Sequence, residues 1–342
     1  MKALVKTAPG VGHVEICDVP EPTPGPGTVK CEVKYCGICG TDIHIYHGRW
    51  KEPPFIMGHE WSGVVVETGP GVESVQAGNR VTGIPLGPTC GRCHYCLEGH
   101  PFMCSDRIGF TTPDNGAFSK YVIALESTLR RLPDNVSFEA AALMEPLACV
   151  VKAVVFVTGI SAGEVVLLTG PGPIGLLTLQ VAKAEGSFVV LAGTSADAER
   201  LEIGKRLGAD ATINVETDDV EGILQGLTNG YGPDVVLECS GALPAVRMGV
   251  DVIRKEGTLT QIGVLDHNLE FDFMTAFLKD LRVNISYAST YESWDRALTL
   301  VSRGQVKLEP LVTDILPLSE WEKGFEKINN REGLKILLYP EE

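Results

Sequence analysis

The sequence predicts an α/β chain in two parts: a β-rich block over roughly the first 150 residues, then a doubly wound parallel sheet. Three observations carry this reading. Short β-like runs separated by Gly and Pro turns fill the first part. From about residue 160, continuously apolar strands alternate with segments of helical spacing, the pattern of strands covered on both faces. Finally, Gly170-x-Gly172-x-x-Gly175 follows one such strand and opens a helix.

In the first block, Val29 to Tyr35, Gly63 to Glu67, Arg80 to Ile84 and Ala117 to Ala124 read as strands. The Pro- and Gly-rich run from Pro20 to Gly27 is a rigid surface loop. In the second part, Val165 to Thr169 is a buried strand and Ile174 to Glu185 a helix. Ser187 to Ala192 is the next strand and Ala196 to Leu207 the next helix. Asp210 to Val215, Val235 to Cys239 and Thr258 to Ile262 complete the strands, each flanked by helical segments. An amphipathic helix, Trp294 to Arg303, opens the tail. Leu311-Val312-Thr313, a helix near Leu318 to Ile328 and a strand from Lys335 to Tyr339 follow it. Periodicity alone does not say whether this tail returns to the first block.

Composition narrows the function. The chain has 342 residues, 44% of them apolar, enough for one or two packed domains. Lys and Arg number 29 against 44 Asp and Glu, and the net charge of −15 lacks the basic footprint of a nucleic-acid binder. Val165 to Ala182 carries no charge, yet two prolines among the glycines at its centre would break a spanning helix. No membrane segment is expected. The run Met1-Lys2-Ala3-Leu4-Val5-Lys6 has no long apolar stretch before Pro9, so no signal peptide is expected and a cytoplasmic protein is the default.

Three constellations carry chemistry. Gly170, Gly172 and Gly175, with Pro173 and Ile174 between them, fit a dinucleotide pyrophosphate cradle. The tip of the next strand, Gly193-Thr194-Ser195, lacks the carboxylate that an NAD site places about 20 residues after the glycine turn. Its hydroxyls, with Arg200 in the following helix, suit a 2′-phosphate, so NADP is expected over NAD. Asp197 is the competing feature, since it restores NAD binding if a longer turn swings it back to the ribose. Ile262, at the end of a later strand, is assigned to the same coenzyme site.

Ten cysteines are present, and four fall within 15 residues: Cys90, Cys93, Cys96 and Cys104. On a loop bearing His94, Glu98 and His100, they suit a closed tetrahedral zinc site that leaves no position for chemistry. An iron–sulfur cluster is the alternative, but the seven-residue final gap and Ser105 depart from the ferredoxin pattern. Cys17, Cys31, Cys36, Cys149 and Cys239 read as packed thiols. A second mixed set, Cys39, His59, Glu60 and Glu145, comes from separate segments. Fewer than four tight protein ligands is the pattern of an open, catalytic zinc site. Trp50, beside the Cys39 loop, is a candidate for lining a substrate pocket.

The chain resembles the zinc-dependent medium-chain dehydrogenase/reductase family, closest to its polyol (sorbitol/iditol) and threonine 3-dehydrogenase branches. The resemblance runs through Cys39-Gly40-Thr41-Asp42-Ile43-His44, Gly58-His59-Glu60, the four-cysteine lobe and Gly116-Ala117-Phe118-Ser119-Lys120-Tyr121. It continues through Met144-Glu145-Pro146-Leu147-Ala148, the glycine turn and Leu311-Val312-Thr313. It implies a GroES-like catalytic domain, residues 1–152 with a zinc lobe at 88–106, joined by a C-terminal segment, residues 291–342. Between them lies a Rossmann coenzyme domain, residues 153–290. By resemblance, Cys39, His59 and Glu60 are catalytic-zinc ligands, and Glu145 binds zinc directly or through water. Thr41 and His44 form the proton relay. The resemblance further implies one catalytic and one structural zinc, an alcohol or ketone substrate, and a homo-oligomer, dimer or tetramer. His44-Ile45-Tyr46 is similar to the threonine branch, whereas His47-Gly48-Arg49-Trp50 departs from it. Ser286-Tyr287 stands where the sorbitol branch carries Arg-Tyr, and the missing arginine weakens sorbitol itself as the substrate within the polyol or sugar-like class. A non-catalytic member that keeps only the cysteine lobe is the contrasting class.

Overall fold

The computed structural model describes residues 1–49, 51–265, 268 and 270–341, so Trp50 lies outside the described residues. The chain divides into two compact units. The first is Met1–Glu145, Thr290–Ser302 and Lys307–Glu342; the second is Pro146–Ser289 and Arg303–Val306. The first division falls inside the helix Met144–Val151, just ahead of the boundary drawn from the sequence.

The first unit is built from β1 (Lys2–Lys6), β2 (Val14–Asp18), β3 (Thr28–Gly37), β4 (Phe55–Ile56), β5 (Glu60–Thr68), β6 (Arg80–Gly83), β7 (Tyr121–Leu125) and β8 (Leu129–Arg131). The order β2-β1-β4 forms a small antiparallel sheet. In the second unit, β9 (Val165–Thr169), β10 (Phe188–Gly193), β11 (Ala211–Asn214), β12 (Val235–Glu238), β13 (Thr258–Gln261) and β14 (Arg282–Ile285) form one parallel sheet. The tail supplies β15 (Val312–Pro317) and β16 (Lys335–Tyr339) to the first unit, giving the order β15-β16-β3-β5-β6-β8 with β7 also on β3.

β3 is the hub of the first unit. It pairs antiparallel with β5, β7 and β16, so one strand gathers chain from positions far apart in sequence. Around it pack Phe55, Trp61, Phe118, Trp321, Phe325 and Ile336, all nearly excluded from water. Burial of apolar side chains at about 25 cal/mol per Å² is what holds these segments together.

The second unit has strand order β11-β10-β9-β12-β13-β14, the doubly wound order with its reversal between β9 and β12. Val166, Leu167, Leu168, Val189, Val190, Leu191, Val236 and Leu237 are all buried, which explains why these strands read as unbroken apolar runs.

Two local expectations are corrected, and one strand is added. The strand expected from Ala117 begins only at Tyr121, because the Ser119 hydroxyl donates to the Gly116 and Tyr121 carbonyls and holds a turn there. The helix expected from Ala196 opens as a 3₁₀ turn, Ser195–Asp197, and becomes α-helical at Ala198. Nothing in the periodicity singles out β14, whose Arg282, Val283 and Ile285 are exposed at the sheet edge.

Two glycines test this packing. A Cβ at Gly63 on β5 would lie 2.1 Å from the Glu32 carbonyl oxygen on β3. Gly63→Ala is expected to cost about 3 kcal/mol by forcing the two strands apart. Gly226, in the helix Val220–Leu227, has nothing within 4 Å of an added Cβ. Gly226→Ala is expected to stabilise by about 0.5–1 kcal/mol through helix propensity. Urea unfolding midpoints of both variants check the pair; equal shifts would contradict it.

Candidate metal centres and coenzyme turn

The register of β3 brings the open metal set together. β3 ends at Gly37, which pairs with Glu60 at the start of β5 and with Leu337 on β16. Two residues beyond Gly37 stands Cys39, the N-cap of the helix Gly40–Tyr46. Its backbone N–H donates to Asp42 Oδ2 at 2.9 Å, which fixes the entry to the helix. The ligand atoms of Cys39, His59 and Glu60 all lie within 4.8 Å of one another.

Asp42 and Glu60 are each 1% exposed, so both carboxylates need partners inside the protein. Asp42 Oδ1 stands 4.0 Å from His59 Nδ1, and burial pushes the Asp42 carboxyl above its usual range. Glu60 Oε2 accepts from Lys335 Nζ at 2.6 Å, and the same ammonium donates to the Ile38 carbonyl at 3.1 Å. Burial lowers the pKa of Lys335, but the Glu60 carboxylate and the Cys39 sulfur outweigh this and hold the lysine above its usual value. A Cβ at Gly37 would lie 2.5 Å from Glu60 Oε2, so a side chain there would displace the carboxylate from this ion pair.

Glu145 is outside the close trio, at the start of the helix Met144–Val151. Its charge still reaches the site. Burial alone would depress the His59 imidazole, whereas Cys39, Asp42 and Glu145 together hold it well above its usual value. Three mixed donors in a surplus of negative charge suit a divalent cation, and sulfur plus imidazole nitrogen suit zinc. Thr41 and His44 sit in the same short helix at i and i+3, which places them on one face. Thr41 is not the helix cap; Cys39 is.

The second cysteine set is local. Cys90 and Cys93 flank a turn, Cys96 lies in the short helix His94–Leu97, and Cys104 follows the 3₁₀ turn Pro101–Met103. All four sulfurs lie within 4.8 Å of one another. Cys90 Sγ is 3.6 Å from Cys104 Sγ and 4.0 Å from Cys96 Sγ. Sulfurs about 2.3 Å from a tetrahedral zinc stand about 3.8 Å apart, so the spacing fits that ion. The backbone N–H groups of Arg92 and Cys93 pull the Cys90 thiol down to about 6, toward the thiolate that a metal needs.

In the second unit, Gly170 turns the chain at φ +88° after β9, Gly172 caps the helix Pro173–Ala184, and Pro173 opens it. A Cβ at Gly175 would lie 1.9 Å from the Gly170 carbonyl oxygen, so the turn and the helix touch there. Ile174 is in the first turn of that helix, and Ile262 follows β13 with its N–H on the Glu238 carbonyl.

The tip of β10 differs from its sequence reading in two respects. Gly193 is crowded: an added Cβ would lie 3.0 Å from Pro171 Cγ and 3.1 Å from Asp197 Cβ. The donors expected for a 2′-phosphate are engaged within the chain. Thr194 N–H and Oγ1 donate to Asp197 Oδ2 at 3.0 and 2.7 Å, and Ser195 N–H donates to Glu216 Oε2 at 2.9 Å. Arg200 stands 3.8 Å from Asp197 Oδ1.

Sequence reasoning missed Lys335 and gave no role to Asp42. Asp42 lay inside the quoted motif, three residues after Cys39, where a capping carboxylate is a readable signal. Lys335 is separated from Glu60 by 275 residues, and no spacing signal spans that distance.

Comparison with known proteins agrees with this architecture. Residues 25–134 match the alcohol dehydrogenase GroES-like domain, and residues 173–303 match the zinc-binding dehydrogenase domain. A sorbitol dehydrogenase of Halalkalibacterium halodurans is 43% identical over 99% of both chains. A D-arabitol-phosphate dehydrogenase of Enterococcus avium is 37% identical over 99% of this chain and 97% of its own. A zinc-binding dehydrogenase of Sinorhizobium meliloti, its crystal structure bound to NADP, is 32% identical with a TM-score of 0.90 and 99% coverage of both chains. With its GroES-like domain, parallel coenzyme-type sheet and two candidate metal sets, the chain belongs to the zinc-dependent medium-chain dehydrogenase/reductase family.

Proposed function

We propose that this dehydrogenase transfers hydride between a polyol or sugar-like secondary alcohol and NAD(P), giving a ketone. The observation that carries the reading is the convergence of Cys39 with the adjacent pair His59 and Glu60, two segments about 20 residues apart, onto one point. Relatives acting on sorbitol and arabitol phosphate support the substrate class. The domain division follows the family: residues 1–152 with 291–342 catalytic, and 153–290 for the coenzyme.

Cys39, His59 and Glu60 hold the catalytic zinc, and Glu145 joins them directly or through water. Cys90, Cys93, Cys96 and Cys104 hold a structural zinc, one of each per chain. When bound, the catalytic zinc supplies Lewis-acid polarisation of the substrate hydroxyl, and the nicotinamide supplies the hydride acceptor. Thr41 Oγ accepts the substrate's hydroxyl proton while its own proton passes to His44, which releases it to solvent. Four cysteines kept as metal-binding thiolates fit a reducing compartment, the cytoplasm.

The coenzyme is NADP in preference to NAD, bound at Gly170, Gly172, Pro173, Ile174 and Gly175, with Gly193, Thr194, Ser195, Arg200 and Ile262 completing the site. The missing carboxylate at Gly193, the nearby Arg200 and the NADP-bound relative support this. The NAD reading has its own observation, Asp197 and Glu216 already seated on the Thr194 and Ser195 donors. A homo-oligomer, dimer or tetramer, is supported by the open edge of β14 and by exposed Phe273, Met274, Phe277 and Ile285 nearby.

Three experiments test these assignments. Cys39→Ser is expected to abolish turnover in a folded protein and to lower zinc from about two per chain to about one. Cys93→Ser is expected instead to lower Tm by about 5 °C or more, because a closed four-thiolate site contributes folding energy. Elemental analysis and thermal melts separate the two; wild-type turnover in the first, or an unmoved Tm in the second, removes that site.

Thr41→Val keeps shape and loses the hydroxyl. It is expected to slow alcohol oxidation about 10²-fold or more while zinc content stays at the wild-type value. A wild-type rate would send the proton by another route.

For the coenzyme, the ratio of kcat/KM for NADP to that for NAD is expected to exceed one. Arg200→Ala is expected to lower that ratio about 10-fold, the size of one charge-assisted contact. A wild-type preference for NAD would overturn the NADP reading and favour the alternative in which Asp197 serves the ribose.

A further inference from the structure

We propose that Glu238 is a positioning residue for the coenzyme, holding the far wall of the pyrophosphate turn from a buried site at the reversal point of the parallel sheet. The proposal rests on the coenzyme site described above and adds to it a residue behind the glycine turn.

Glu238 is the last residue of β12 and is fully buried. In register it faces Thr169, the last residue of β9, on one side and Gln261, the last residue of β13, on the other. The strand order reverses between β9 and β12, and a parallel sheet opens its ligand crevice at the carboxyl ends of the strands at such a point. Its carboxylate accepts from several donors at once. Thr169 Oγ1 donates to it at 3.2 Å and Gln261 Nε2 at 2.5 Å. Ser240 N–H donates at 2.7 Å, Gly241 N–H at 3.1 and 3.0 Å to its two oxygens, and the Ser240 hydroxyl donates as well.

One side chain thus ties three neighbouring strand ends and the turn that leaves β12. That turn backs directly on the glycine motif. A Cβ at Gly170 would lie 2.7 Å from Ser240 Cβ and 2.8 Å from Ser240 Cα and N, so Ser240 limits where Gly170 can sit. Fixing Ser240 therefore fixes the turn whose backbone approaches the pyrophosphate. A carboxylate taken out of water is costly unless several donors satisfy it. An apolar residue would leave the Ser240 and Gly241 N–H groups without their acceptor. Metal ligands play no part here, since both candidate sets belong to the other unit.

Glu238→Gln tests this on the full-length, zinc-loaded protein. Glutamine keeps the shape but replaces one acceptor oxygen by an NH₂ group that cannot accept from an N–H. NADP and NAD dissociation constants, read by fluorescence titration, are expected to rise about 10-fold, the scale of one hydrogen bond to a charged group. Coenzyme KM is expected to rise with them, while the KM for alcohol at saturating coenzyme stays within about twofold, a split that a general loss of stability does not produce. Should Glu238→Gln fail to accumulate folded, Thr169→Val removes only the bond across the reversal point and is expected to weaken coenzyme about threefold or more. Coenzyme affinity within twofold of wild type in the folded variant overturns this inference alone. Wild-type protein that binds neither coenzyme overturns the site on which it rests, and this inference with it.

Discussion

The ion pair between Glu60 and Lys335 is the interaction on which the first unit turns. It joins the first residue of β5 to the first residue of β16, each nearly excluded from water, beside the Cys39 and His59 ligand atoms. Removing one partner of such a pair leaves an uncompensated buried charge and costs about 3–5 kcal/mol. The pair also has a geometric condition. It fits because Gly37, at the end of β3, has no side chain in the way. The central strand, the tail strand and a candidate metal ligand thereby satisfy one constraint together.

The same constraint explains why the tail belongs to the first unit. β16 pairs with β3, and the Ile38 N–H donates to the Ile336 carbonyl at 2.9 Å, just where the chain leaves β3 for Cys39. Lys335 enters the site from that strand. A carboxylate already bonded at one oxygen offers a metal chiefly its other oxygen, so the lysine bears on how Glu60 can act as a ligand.

The two zinc-type sets are held by different physics. The four-cysteine lobe is assembled within 15 residues by tight turns and short helices, with N–H groups of the turn lowering the thiol pKa at Cys90. It is closed and local. The Cys39 set is assembled across strands by sheet register, with Lys335 and Asp42 each in contact with one of its members. In the second unit a buried carboxylate again organises neighbouring strand ends, although its donors there are neutral hydroxyl, amide and backbone groups.

Much of this was determined by the sequence on its own. The strand Val165–Thr169 and the glycine turn were legible because a fully buried parallel strand needs a continuous apolar run and a close helix approach needs glycine. The cysteine lobe was legible because its ligands are near neighbours in the chain. Tertiary structure decided the rest. It set the trio of Cys39, His59 and Glu60 apart from Glu145, and it brought Lys335 across 275 residues to Glu60. It also placed Asp197 and Glu216 on donors that the sequence had left to a phosphate. Asp197 reaches Thr194 through a local cap three residues along, but the trio, Lys335 and Glu216 depend on which strands pair and in what register, and a register is fixed by packing summed over the whole sheet, which no short run of residues encodes.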